Sequence, residues 1–221
     1  MALNLGQQIT TPAPPTIGSP GASYDERFQS QSFGAINNYF SKLTALFAAL
    51  FGPRGGKWIN APYGAFQDGT DQIAANTTTA YVVTFDTTDF SNGVTLSNSS
   101  RLNVAQAGIY DIQFSIQLTN STNDTQDVDI WFRKNGTNID KSNSRFSLSP
   151  RKSSGDPSHL IAALNFFVSL AANDYVEIMW RPTDVGVQIE HYAASSSPTR
   201  PVVPSVIATL TFVSNLSTET A

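Results

Sequence analysis

The chain has 221 residues, enough for one large domain or a domain with an appendage. Apolar residues make up 40% of it but charged residues only 14%, against about a quarter in average soluble chains, and Asn, Ser, Thr and Gln stand in their place. The net charge of −4 argues against a general nucleic-acid-binding surface, which needs a basic patch, and the lack of cysteine excludes disulfides, thiolate metal sites and cysteine nucleophiles.

Residues 1–6 hold neither the basic nor the apolar region of a signal peptide. The longest apolar stretch, residues 46–51, is far too short to span a bilayer. The expectation is a soluble protein made in a reducing cytoplasm, with no membrane partner. Residues 1–22 carry Pro12, Pro14, Pro15 and Pro20 among Gly, Ser and Thr. Proline removes a backbone donor and favours extended backbone, so this segment reads as an arm.

Residues 23–57 form the second segment, a helix and a joint. A helix is expected over residues 24–51, with Ser23 as N-cap and Asp25 and Glu26 in the first turn, where the helix dipole favours negative charge. Gly52-Pro53 ends it. Phe33, Ile36, Phe40, Leu43, Phe47 and Leu50 recur three and four residues apart, a heptad seam of about two and a half repeats. Such a stripe serves either self-association or docking on the chain's own domain. Tyr39, Leu46 and Phe51 widen it.

From residue 58 to 221 the period changes to two. Tyr110, Ile112, Phe114, Ile116 and Leu118 alternate with Asp111, Gln113, Ser115 and Gln117, the signature of a half-buried strand. The same alternation runs through residues 81–85, 128–132, 164–170 and 185–191, while residues 175–180 and 206–213 are apolar on both faces. Turn residues separate them at Ser91-Asn92-Gly93, Asn135-Gly136 and Ala172-Asn173-Asp174. Short strands, regular turns and no second helix predict an all-β antiparallel sandwich behind the arm and helix.

The segment Gly52-Pro53-Arg54-Gly55-Gly56-Lys57 fails as a phosphate loop, because its glycine spacing is wrong, Trp58 stands where a hydroxyl must bind magnesium, and it follows a helix. His159 and His191 have no nucleophile elbow or ligand spacing beside them. Asp124, Asp127 and Asp129, with Asp68 and Asp71, could offer oxygen ligands to calcium, but their spacing matches no loop template and acidic loop residues are usually just solvated. The Asn-x-Ser/Thr triplets at Asn76, Asn98, Asn120, Asn123, Asn135 and Asn215 follow from composition. No catalytic residue, cofactor or metal is therefore expected, and the chain reads as non-enzymatic. The locally basic loop of residues 141–158, with Lys141, Arg145, Arg151 and Lys152, reads equally as an interaction loop or a solvated connection.

The order of the pieces adds to this reading. Phe66-Gln67-Asp68 is followed by Val83-Thr84-Phe85-Asp86, then Leu102-Asn103-Val104 and Gly108-Ile109-Tyr110. A strand ending in Arg133-Lys134-Asn135-Gly136 comes next, then Ala172-Asn173-Asp174 running into Val176-Glu177-Ile178, and last Ala208-Thr209-Leu210-Thr211-Phe212. Over residues 64–213 this resembles the jelly-roll head shared by the complement-subcomponent globular domain and the tumour necrosis factor families, with Asn173 in place of a turn glycine. Asn tolerates the left-handed backbone such a turn needs. Pro198-Thr199-Arg200-Pro201 and Pro204-Ser205-Val206 are also similar to segments in structural proteins of tailed bacteriophages.

The resemblance implies a homotrimer packed through aromatic-rich sheet faces. Trp131, Phe167, Met179 and Tyr192 lie opposite each strand's best apolar set and join the helix stripe as candidate interface residues, local packing against the helix being the competing reading. The implied function is a bacteriophage virion structural protein, a capsid decoration or cement module whose arm and helix bind other virion proteins such as the major capsid protein. The alternative is a tail or head fibre tip that binds a host surface glycan or protein through loops 141–158 or 119–127.

Overall fold

The structure, a computed structural model, describes residues 12–17, 21, 23, 25–51 and 61–214, the side chains of 49–51 excepted. The chain divides into two compact units, Met1–Ile59 with Ser217–Ala221, and Asn60–Leu216. The first carries the helix and the second carries the strands.

The helix α1 spans Glu26–Phe51. Its first free backbone donors, the N–H groups of Arg27 and Phe28, are taken up by Asp25 Oδ1 at 2.9 and 3.3 Å. The N-cap is therefore Asp25 and not the expected Ser23; its carboxylate both accepts these bonds and sits at the positive end of the helix dipole.

The second unit begins with β1 (Tyr63–Asp68), β2 (Gln72–Ile73), β3 (Tyr81–Val82), β4 (Thr87–Asn92), β5 (Val94–Ser97), β6 (Arg101–Val104), β7 (Gly108–Asn120) and β8 (Gln126–Lys134). It continues with β9 (Thr137–Asn138), β10 (Ser144–Leu148), β11 (Ser158–Leu170), β12 (Tyr175–Pro182), β13 (Val187–Ile189), β14 (Ser195–Ser196), β15 (Thr199–Arg200) and β16 (Val206–Ser214). The ladders between these strands are antiparallel. Among the described residues the protein is all-β apart from one N-terminal helix.

Two sheets share one core. In the first, β7 bonds β11 along one edge and β16 and β13 along the other, and β16 continues to β1 and β4. In the second, β8 and β12 form the centre, flanked by β10 on one side and by β6 and β5 on the other. The alternation expected on β7 is realised, with Tyr110, Ile112, Phe114, Ile116 and Leu118 all buried. They face Val128, Ile130 and Phe132 of β8 and Val176, Ile178 and Trp180 of β12 in one apolar cluster. Phe132 bridges the layers, stacking on Phe166 at 5.0 Å and meeting Phe114 edge-on at 6.0 Å.

Polar groups at the rim fix the turns. Asn135 and Gly136 both take positive φ, 48° and 82°, which the tight β8–β9 hairpin requires. Asn173 has φ 68°, so the turn before β12 uses Asn as its left-handed residue, as expected. Tyr110, otherwise deep in the core, donates its hydroxyl to the Gln106 carbonyl at 2.8 Å, and burial pushes the phenol up to about 12. Residues 141–158 are less of a loop than expected, because β10 pairs with β8 inside them and Phe146 packs on the core.

Two substitutions separate the contributions of packing and of this bond. Phe132→Ala should cost about 3–5 kcal/mol of unfolding free energy in urea titration, the usual loss for a buried aromatic. Tyr110→Phe keeps the ring and loses one hydrogen bond, so it should cost about 1 kcal/mol. Equal effects would contradict the assignment of Phe132 to the interlayer core.

Candidate interaction surfaces

On α1 the heptad spacing places Phe33, Phe40 and Phe47 in one row, all exposed, with Ile36 and Leu43 partly shielded beside them. Tyr39 meets Phe40 edge-on at 5.7 Å. The side chain of Leu50 lies outside the described residues.

The outer face of the first sheet is set by β7, β11 and β16. Because side chains alternate, the residues left facing outward on β11 include Ile161, Ala163, Asn165 and Phe167. Opposite them on β7 stand Gln117, Ser115, Gln113 and Asp111, and β16 adds Ile207, Thr209, Thr211 and Val213. Ile161 and Phe167 are 60% and 58% exposed. A depression of about 200 Å³ lies between β7 and β16, lined by Gln113, Ser115, Ile207 and Thr209. Across the centre of these three strands Asp111 is the one carboxylate. Its Oδ2 accepts from Gln113 Nε2 at 2.8 Å, while Oδ1 is shielded from solvent and bonds nothing among the described residues.

The outer face of the second sheet has the opposite character. Glu177, only 2% exposed, accepts from Arg133 at 2.8 Å and Ser100 at 3.0 Å and lies 3.4 Å from Arg101, whose guanidinium covers the Tyr175 ring. Asp129 receives two bonds from Arg145, at 2.9 and 3.1 Å, and lies 3.7 Å from Arg181. The Arg145 guanidinium, aided by Asn143 and Arg181, holds the Asp129 carboxyl below the usual carboxylate range despite partial burial. Beside this network an open pocket of about 470 Å³ contains Asp129, Trp131, Asn138, Lys141, Asn143 and Arg181. The indole of Trp131 is fixed there by donation from Nε1 to Asn138 Oδ1 at 2.9 Å.

The four head residues expected to share an interface are thus dispersed. Phe167 is on the first sheet's outer face, as needed. Trp131 and Met179 are cross-strand neighbours on the second sheet. Met179 is 1% exposed, enclosed between Trp131 and Val82 on the adjoining strands, so it offers no surface to a second copy. Tyr192 is near the end of the first sheet, where its hydroxyl donates to Glu190 at 2.6 Å and meets His159 Nδ1 at 2.9 Å. Burial and the Glu190 carboxylate push that phenol up. The alternation identified outward positions correctly for Trp131 and Phe167, but pairing between distant strands, which decides what covers each, has no local signal.

Of the acidic residues weighed as calcium ligands, Asp68, Asp71, Asp127 and Asp129 have other partners. Asp68 accepts from Thr70 and Thr84, Asp127 accepts from Ser147, and Asp129 serves the arginines. His191 gives Asp71 two bonds, from its backbone at 2.9 Å and its ring at 2.7 Å; against the opposing effect of burial these hold the Asp71 carboxyl low. Among the described residues no group of three or more His, Asp or Glu could hold a metal ion. No helix there is long and apolar enough to cross a membrane. No protein-family model matches the chain, and a search of curated proteins finds no similar one.

The Asp129 network makes a pH-dependent prediction. Its carboxyl titrates lower folded than unfolded, so its stabilisation is fully present above the unfolded value of about 3.9 and is lost as pH falls through the folded value. Asp129→Asn should therefore lower urea stability at pH 7 by about 1–3 kcal/mol, the scale of charged hydrogen bonds. That deficit should shrink at low pH. A deficit that is constant with pH would contradict the role of the ionised carboxylate.

Proposed function

We propose that the chain is a bacteriophage virion structural protein, a homotrimeric jelly-roll module that decorates the capsid and is anchored to it by its N-terminal arm and helix. The winding of the strands supports the jelly roll. β1, β16, β7 and β11 lie side by side in one sheet and β6, β12, β8 and β10 in the other. The chain crosses between layers from β6 to β7, β7 to β8, β10 to β11 and β11 to β12, the wrapping of a double Greek key.

The observation that carries the assembly is the outer face of β7, β11 and β16. It exposes Ile161 and Phe167 over a nearly uncharged field of amides and hydroxyls, while the second sheet's outer face is covered with paired charges. A face with little charge to desolvate suits burial against a copy of itself. The shielded Asp111 Oδ1 would then receive a donor from the neighbouring subunit, and the depression beside Ile207 a side chain. The Phe33, Phe40 and Phe47 row on α1 is a second apolar surface, suited to a heptad contact with other helices or to a groove on a capsid protein. A structural role needs no catalytic group, which fits Asp68, Asp71, Asp127, His159 and His191 being held by structural bonds.

Deleting residues 1–57 tests the anchoring. The remaining chain, which contains the compact strand unit, should stay soluble but no longer co-sediment with virus particles that bind the full-length protein. Continued association at the full-length level would contradict the role given to arm and helix.

A further inference from the structure

A second surface stands apart from the proposed assembly and does not depend on it. The pocket of about 470 Å³ lies on the outer face of the second sheet, the layer opposite Ile161 and Phe167. Its size falls within the roughly 300–1,000 Å³ of small-molecule clefts. Three features determine what it could hold.

The first is the indole. Trp131 is only partly buried, and a tryptophan left partly in water forgoes some of the hydrophobic gain of its large surface. Its ring is held by the bond to Asn138 and flanked on its own strand by Asp129. The site therefore offers a flat apolar surface whose orientation is set before any ligand arrives.

The second is the polar ring around it. Asp129, ionised and clamped by Arg145, is an acceptor; Arg181 and Lys141 are donors; Asn138 and Asn143 each present an amide with both functions. Asn143 beside it also helps hold the Asp129 carboxyl low, so neighbouring polar groups brace one another. Such planar groups in fixed positions suit adjacent hydroxyls, each of which is donor and acceptor at once.

The third is the charge. Asp127, Asp129 and Asp140 balance Arg145, Arg181 and Lys141 in and around the pocket, so an anion gains no net attraction. A peptide would need more apolar lining than Trp131 and Ile139 supply.

We propose that this pocket is a binding site for a neutral pyranose sugar, with Trp131 stacking on the apolar C–H face of the ring and Asp129, Asn138, Asn143 and Arg181 bonding its hydroxyls. The site lies on the sheet that self-association through the other layer leaves open. Several copies on one assembly would raise avidity for a surface carrying many such sugars, without any new contact.

The test uses the full-length chain with methyl glycosides of glucose, galactose, mannose and N-acetylglucosamine, and with N-acetylneuraminic acid as the anionic comparison. Saturation-transfer NMR and the fluorescence of the tryptophans report binding. Single-ring probes read each site alone, so the result does not depend on whether the copies assemble. At least one neutral glycoside should bind saturably. Trp131→Ala should weaken it by about tenfold or more, the scale of one stacking contact, and Trp131→Phe by less. Should Trp131→Ala fail to fold, Asn143→Ala, an exposed change, should still weaken binding severalfold. Lack of binding by all four neutral glycosides, binding of the anionic sugar only, or binding unchanged in Trp131→Ala or Asn143→Ala would each overturn the assignment.

Discussion

The structure depends on the two-residue period of its long strands, which β7 enforces on its neighbours. Thirteen consecutive residues of β7 pair with β11 in unbroken register, and its other edge pairs with β16. A shift of one residue would exchange inner and outer faces along the whole strand. It would expose Tyr110, Ile112, Phe114, Ile116 and Leu118 and bury Asp111, Gln113 and Gln117 in their place. The apolar set is so strongly sorted that one register is favoured, and Tyr110 adds a bond to the Gln106 carbonyl.

The same constraint produces two unlike exteriors. On the first sheet, sorting leaves Ile161, Phe167 and Ile207 outward among uncharged polar groups. On the second it leaves Asp129, Arg133, Glu177 and Arg181 outward, where they neutralise one another. Covering the first face removes apolar surface from water at little cost in charge desolvation. Covering the second would strip water from several ions already satisfied within the subunit. This asymmetry is the ground for proposing that one layer assembles and that the other, with its tryptophan pocket, takes a sugar.

Local chemistry was readable in the sequence and long-range pairing was not. The alternation on β7, the Asn135-Gly136 hairpin and the left-handed Asn173 each depend on neighbours a few residues away, while the expected helix stop at Gly52-Pro53 lies outside the described residues. The N-cap was misplaced by two residues because Ser23 and Asp25 both suit that role, and only the bonds to Arg27 and Phe28 distinguish them. Met179 read as a surplus outward residue, yet β3 pairs alongside it from almost a hundred residues earlier, and it is buried. The pocket was hidden for the same reason. Trp131 and Asp129 share a strand, but Arg181 and Asn143 reach them only through pairing with β12 and through the turn into β10.

The proposed function requires that the hydrophobic side of the β7–β11–β16 layer be covered by identical subunits. Sedimentation equilibrium of the intact protein at micromolar concentration tests this most directly. The account predicts a species near three times the 23.8 kDa chain mass. A single species at the mass of one chain would contradict it.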